Sequence, residues 1–310
     1  MRTRTLGAAG PEISVVGYGA WQAGGAHWGG PAPDDDVIAA IRAALDTGQT
    51  WIDTAEVYGQ GRSEELVGRA IAGRRDEVLL FTKVAPDDEG SGIRPDEIRS
   101  AIQGSLRRLG TDHVDLYQVH WPDERIPVEE TWGAMGELVA EGLARRIGVS
   151  NFDRALVERC LPIHPVASVQ NELSLLCRDD TSELLPWLAG QGIGYLAYSP
   201  LASGLLTGRI TADTTFADDD WRRDEFSPDR LAEVVPRIER LAAIARRLEL
   251  TAADLALAWI LHQPGVTGAI CGTLSAANAR RNSAAGDIEL DLAAVAELDE
   301  AFTAGAGRPA

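Results

Sequence analysis

Eight short apolar runs, separated by longer amphipathic stretches, recur along almost the whole chain and constrain its fold more than any other feature. They are VVGYG (15–19), TWID (50–53), VLLFTK (78–83), VDLYQVH (114–120), RRIGVSN (145–151), VASVQ (166–170), IGYLAYS (193–199) and VTGAICG (266–272). A strand with one wet face alternates apolar and polar side chains. These runs are instead nearly continuous, as in parallel strands covered on both faces. The stretches between them carry helix signals. Residues 34–47 open on three aspartates and end at Gly48; residues 95–109 open at Pro95 with Asp96 and Glu97 and stop before Gly110. Further helices are expected near 62–72, 128–141, 153–160, 180–190, 231–247, 252–262 and 291–302. The pattern predicts one α/β domain over 1–310, a (β/α)8 TIM barrel with extra C-terminal helices. A doubly wound sheet is the alternative.

Two segments stand outside the repeat. Residues 1–14 read as a hairpin that closes the bottom of the barrel, because Gly7–Gly10 separates two short extended stretches. Residues 211–229 form a long polar connection of the kind used as a lid. Trp221 and Phe226 favour the lid, since both would be wasted in a solvated loop.

Composition narrows the function. A formal net charge of −18 repels polynucleotides and anionic lipid, so neither a nucleic acid nor a membrane is an expected partner. The N-terminal segment lacks the apolar core of a secretion signal, and no apolar run approaches membrane-spanning length. Cys160, Cys177 and Cys271 show no CxxC spacing, which fits a reducing cytoplasm. Cys160 and His164 stand four apart, but no second ligand pair accompanies them, so no metal is expected.

No dinucleotide fingerprint of the strand–glycine–helix type is present. GQGRSE (59–64) lacks the third glycine, and GIGYLA (192–197) lies within an expected strand. Reactive groups in a barrel of this kind sit at the C-terminal ends of strands and on the loops that follow. Those positions hold Asp53, Lys83, His120, Ser150, Asn151, Gln170, Tyr198, Ser199 and Gly272, with Tyr58 five residues beyond Asp53. Singly, each has a bland reading: a cap, a surface lysine, a loop plug, a satisfied core histidine. A polar residue at the end of nearly every buried strand makes a site, because each costs free energy unless paired.

The residue types suit carbonyl reduction. Hydride arrival at carbon creates an alkoxide that needs a proton. A free tyrosine, with a pKa near ~10, is a poor acid at neutrality, and an adjacent lysine is expected to lower that value. Asp53 would keep Lys83 charged, Tyr58 would deliver the proton, and His120 would hydrogen-bond the substrate oxygen. A Schiff-base aldolase using Lys83 and a cofactor-sensing binding protein with little turnover are the competing readings.

DTAEVYGQGRSEELVG (53–68), FTK (81–83), SLRRLGTDHVDLYQVHWPD (105–123), GVSNF (148–152) and YSPLASGLLTG (198–208) together resemble the aldo-keto reductase family. The chain is most similar to its bacterial stress and inositol-operon-type reductases, a group related to potassium-channel β subunits. The resemblance implies NADP(H), with NAD(H) the alternative, bound extended across the barrel mouth. It implies that Ser150, Asn151 and Gln170 hold the carboxamide and that Tyr198 stacks on the nicotinamide. Ser199, Leu201, Ser203 and Arg209 would line the pyrophosphate; Gly19, Ala20 and Trp21 would approach from the first loop. Gly272, Thr273, Asn278 and Asn282 would hold the adenosine end. Two positions depart from the family's pattern there. Leu274 stands where a basic residue often meets the 2′-phosphate, and Arg281 where a glutamate often lies near the adenine. Trp21, Trp28, Tyr58, His120 and Trp121 are expected to line the carbonyl substrate's pocket, with Trp221 within reach from the lid, and Trp51 and Trp259 to pack in the core.

Overall fold

A closed barrel of eight parallel strands forms the computed structural model, which describes residues 1–25, 28, 30–87 and 92–303. Residues 304–310 of the expected domain lie outside these. Strands β1 (Thr3–Thr5) and β2 (Glu12–Ser14) pair antiparallel as the hairpin. The barrel comprises β3 (Val16–Gly19), β4 (Trp51–Asp53), β5 (Leu79–Val84), β6 (Leu116–Val119) and β7 (Ile147–Ser150), then β8 (Ser168–Glu172), β9 (Gly194–Tyr198) and β10 (Val266–Gly272). They pair in chain order, and β10 closes the ring against β3 with Gly272 opposite Gly19. Helices α1 (Asp34–Asp46), α2 (Arg62–Ala70), α3 (Pro95–Leu109), α4 (Val128–Ala140), α5 (Arg154–Cys160) and α6 (Leu184–Gln191) cover the wall between strands. Then α7 (Arg222–Glu225), α8 (Pro228–Arg247) and α9 (Ala252–His262) precede β10, and α10 (Ala276–Ala285) and α11 (Leu292–Thr303) follow it.

The barrel interior is stacked in two layers. Trp51, Phe81, Leu116, Leu196 and Ile270 fill the lower one, and Leu6 and Ile13 of the hairpin close it from below. Trp51 donates its indole N–H to the Ser14 carbonyl at 2.8 Å, tying plug to barrel. Gly17 makes room for that indole, since a Cβ there would meet its ring at 2.2 Å. Side chains two residues apart on a strand share a face. One step up each strand therefore leads from Trp51 to Asp53, from Phe81 to Lys83, from Leu116 to Gln118 and from Leu196 to Tyr198. The apolar layer thus becomes the floor on which a polar layer stands.

The elements depart from expectation in several places. Strand β8 runs to Glu172, two residues beyond the expected end. Helix α8 starts at Pro228, where the Ser227 hydroxyl accepts the Arg230 N–H at 3.3 Å, so the expected lid 211–229 contains α7 and loses its end to α8. Helix α10 was not expected at all. Its buried residues are Ala279, Asn282, Ser283 and Ala285, and such small side chains let it lie close on α1 without a large apolar stripe. Its one sequence signal is Ser275, whose hydroxyl accepts the Asn278 N–H at 3.4 Å.

Candidate active site

The upper layer opens into a cleft of about 900 Å³ at the C-terminal ends of the strands. Lys83, on β5, is fully buried at its base and forms an ion pair with Asp53 Oδ1 at the end of β4. Its Nζ also donates to the Thr54 carbonyl at 3.0 Å and to the Tyr58 hydroxyl at 3.4 Å. The other Asp53 oxygen accepts from Gln170 at 2.9 Å and Gln118 at 3.2 Å, and Gln170 donates to Gln118 Oε1 at 3.1 Å. His120 follows β6, and its Nε2 lies 3.4 Å from the Tyr58 hydroxyl. The four expected residues thus converge: Lys83 and His120 both lie 3.4 Å from the Tyr58 phenol oxygen, and Asp53 is paired to Lys83 behind it.

Electrostatics refine their roles. Burial pushes the Tyr58 phenol above its ordinary value, and the pull of Lys83 offsets this only in part. The expected lowering does not appear as a net effect, because desolvation outweighs the cation. For Lys83, burial alone would lower the pKa; Asp53 and Tyr58 outweigh it and raise the value, so the ammonium stays charged. Burial, then the Lys83 charge, drives His120 well below the ordinary imidazole range. A neutral imidazole keeps one N–H and one lone pair, which suits it to polarise an oxygen rather than to carry charge. Its Nδ1 is buried without a hydrogen-bond partner.

The side walls hold most of the other expected residues. Gly19, Ala20, Trp21, Ser150, Tyr198, Ser199, Leu201, Ser203, Arg209, Gly272, Thr273, Asn278, Arg281 and Asn282 all line the cleft. Asn151 and Gln170 line it too, but their amides are already engaged. Asn151 donates to the His120 carbonyl at 2.9 Å and to Ser150 Oγ at 3.1 Å, while its oxygen accepts from the Tyr198 hydroxyl at 2.8 Å. Both amides therefore position Tyr198, His120 and Asp53. Leu274 does not line the cleft; its side chain packs against the core.

The mouth is aromatic. Trp21 contacts Trp28 at 4.9 Å and Trp221 at 5.6 Å between ring centroids, and Trp28 meets Trp221 edge-on at 5.9 Å. Trp121 stacks beside His120 at 6.1 Å. A bridge between Trp28 and Asp220 ties the 211–227 connection to the first loop, and Arg222, ion-paired to Asp220, lies over the Trp28 ring. Trp51 and Trp259 are buried in the core.

The sequence profile of the Aldo/keto reductase family matches residues 15–302. The chain belongs to the aldo/keto reductase family. Membership makes it an NAD(P)-dependent oxidoreductase. It is similar to the aldo-keto reductase YhdN of Bacillus subtilis, 40% identical over 88% of this chain and 85% of the relative. Among solved structures it is similar to a glycerol dehydrogenase of Gluconobacter oxydans, with a TM-score of 0.86, 32% identity and coverage of 99% and 97% of the two chains. An aldo-keto reductase of Klebsiella pneumoniae, solved in complex with NADPH, gives a TM-score of 0.78 at 33% identity, over 97% and 96%.

Several residues at this reductase's site escaped sequence reasoning. Gln118 is the clearest: it lies two positions before His120, so strand alternation already aimed it inward. Glu225 on α7 and Arg230 on α8 also line the cleft, where no strand fixes direction and no such signal exists. Among the described residues no cluster of His, Cys, Asp or Glu could hold a metal, and no helix is long and apolar enough to cross a membrane.

Proposed function

We propose that the protein reduces an aldehyde or ketone to the alcohol, reversibly, with NADP(H) as cofactor and Tyr58 as proton donor. The observation that carries this is the single Tyr58 oxygen standing 3.4 Å from both Lys83 Nζ and His120 Nε2 at the base of an open cleft.

The cleft fits a dinucleotide. Its volume lies at the upper end of the roughly 300–1,000 Å³ common for small-molecule and cofactor sites. Gly19 and Gly272 approach so closely that a Cβ on Gly272 would meet the Gly19 carbonyl at 2.8 Å, leaving bare backbone beneath one end. Ser199, Ala202 and Ser203 all adopt positive φ, at 49°, 45° and 52°. Left-handed backbone costs about 1–3 kcal/mol at each non-glycine residue and concentrates at ligand clamps. Ser199, Leu201, Ser203 and Arg209 are the residues that would hold the pyrophosphate, and Tyr198 the one that would face the nicotinamide. When bound, NADPH supplies the hydride.

The chain's own residues handle the proton. Tyr58 stays protonated through neutral pH because burial raises its pKa, and an alkoxide is a far stronger base than a phenolate, so transfer runs downhill. Lys83 then stabilises the phenolate, and Asp53 keeps Lys83 positive. His120, neutral, orients the carbonyl oxygen toward Tyr58. The same ion pair disfavours the aldolase reading, since a fully buried, charged Lys83 is no nucleophile. The barrel works as a single unit, with the 211–227 connection as its lid.

The test is carbonyl-dependent NADPH oxidation across a panel of aldehydes and ketones, repeated with Tyr58→Phe. The variant should lose about 10²–10⁴-fold in kcat while NADPH affinity stays within about twofold. Undiminished turnover by Tyr58→Phe would remove Tyr58 as the donor.

A further inference from the structure

The β4–β5 ladder continues past the end of β4. Thr54 N–H donates to the Phe81 carbonyl at 2.9 Å, and Glu56 N–H donates to the Lys83 carbonyl at 3.4 Å. The chain then leaves the sheet in a tight turn, closed by Tyr58 N–H on the Ala55 carbonyl at 3.2 Å. The next donor along β5's extension is Ala85 N–H. Its partner is a side chain: Glu56 Oε1 accepts it at 3.2 Å. Glu56 therefore grips the extension of β5 at two points, one on each side of Val84. The residue that ends the same turn is Tyr58, and the residue whose carbonyl is gripped is Lys83.

We propose that Glu56 is a positioning residue: its carboxylate clamps the Tyr58 turn onto the end of β5, and its charge state thereby sets how closely Tyr58 and Lys83 are held for proton delivery. The role rests on the reductase reading above and deepens it.

The surroundings make that charge state responsive near neutrality. Burial, with Glu64 adding to it, pushes the Glu56 carboxyl up to about 7, against the opposing pull of the Ala85 N–H and Arg108. The charged and titratable groups that face it are Glu64 on α2, Arg108 on α3 and Tyr117 on β6. Glu64 and Arg108 are already paired at 2.6 Å, and Thr82 donates to Glu64 at 2.6 Å. Tyr117, driven well above the ordinary phenol range by burial and then by Glu56, stays protonated. Glu56 is thus the member of this group placed to titrate near neutral pH. An ionised acceptor binds an amide N–H more strongly than a neutral carboxyl does, so the clamp tightens as pH rises through 7. Folding stability moves the opposite way. A carboxyl whose pKa is raised on folding stabilises the native state below its ordinary unfolded value and loses that contribution as pH rises through 7.

The experiment compares wild type with Glu56→Gln and Glu56→Ala over a neutral pH series, reading kcat and KM for an aldehyde together with the Ala85 amide nitrogen shift by NMR. In wild type the Ala85 shift should inflect near pH 7 and kcat should rise about fivefold relative to Glu56→Gln across it. Glutamine can still accept the Ala85 N–H, so Glu56→Gln should fold, show a flat Ala85 shift and keep the low-pH kcat. Glu56→Ala should lose about tenfold in kcat with KM within about twofold. A flat Ala85 shift in wild type, an unchanged inflection in Glu56→Gln, or wild-type kcat in Glu56→Ala would each overturn the clamp. A wild type with no turnover would instead overturn the reductase reading, while the Ala85 titration would still decide the contact.

Discussion

At the floor of the cleft, Asp53, Lys83, Gln118 and Gln170 are buried inside the barrel, and each hydrogen-bonds to at least one other of the four. At the rim, Trp21 and Trp121 stand 39% and 44% exposed, and Trp28 and Trp221 bury indole N–H groups that have no partner among the described residues. The floor is carried on four different strands, so shifting one member breaks bonds to neighbours that backbone pairing holds fixed. The rim is carried on loops joined by ring contacts and one bridge. A buried donor left unpaired costs about 1–3 kcal/mol, a cost the rim carries at the Trp28 and Trp221 indoles, whereas the four floor side chains are paired with one another. In the proposed function, this division puts the chemistry where geometry is over-determined and leaves recognition where it can change.

The sharpest way to break the comparison is to cut the floor. Lys83→Met keeps length and removes charge, leaving Asp53 buried with only the two glutamine amides on its second oxygen. Removing one partner of a buried pair costs about 3–5 kcal/mol. For a chain of 310 residues that corresponds to a fall of roughly 5–8 °C in Tm. Turnover should drop about 10²–10⁴-fold at the same time. Joint loss of stability and kcat is the mark of the floor. A variant that loses kcat at wild-type Tm would show that the ion pair serves chemistry alone.

Trp221→Ala tests the rim. Ring contacts of this kind are worth about 0.5–1.5 kcal/mol each, so losing those with Trp21 and Trp28 should raise KM for a bulky aldehyde about tenfold. The change should leave kcat within about twofold and lower Tm by only about 2–5 °C, less than the floor variant, because Trp221 contributes nothing to the barrel layers. A fall in kcat at constant KM would place Trp221 with the floor and erase the distinction.

The two regions also differed in how far the sequence revealed them. Strand ends are set by apolar runs, and alternation then dictates which side chains face inward; Asp53, Lys83 and His120 followed from that alone, and Gln118 was within reach of the same rule. Tyr58 was legible from its place five residues beyond Asp53, on the loop that leads to α2. Helix α10 was not, because alanines and serines bury a face without the apolar period that announces a helix. The net direction of the Tyr58 shift was not legible either. Proximity to a cation can be read from spacing, whereas the depth of burial that outweighs it exists only in the packed barrel.

The smallest effect is expected farthest from the floor, at the end of the cleft where Thr273, Asn278, Arg281 and Asn282 line the wall. Leu274 packs against the core there, so the basic side chain common at that position in the family has no counterpart. Arg281 is exposed and has no ion pair among the described residues, which leaves its guanidinium available to an anion. Exposed charge pairs are worth about 1 kcal/mol or less and are screened by salt. Arg281→Ala should therefore weaken NADPH about three- to fivefold at low ionic strength, leave NADH within about twofold, and lose its effect in high salt. Equal weakening of both cofactors would place Arg281 at the part they share rather than at the 2′-phosphate. No change in either would make the rim's acceptance of NADPH independent of charge, and the contrast with the charge-built floor would then be at its widest.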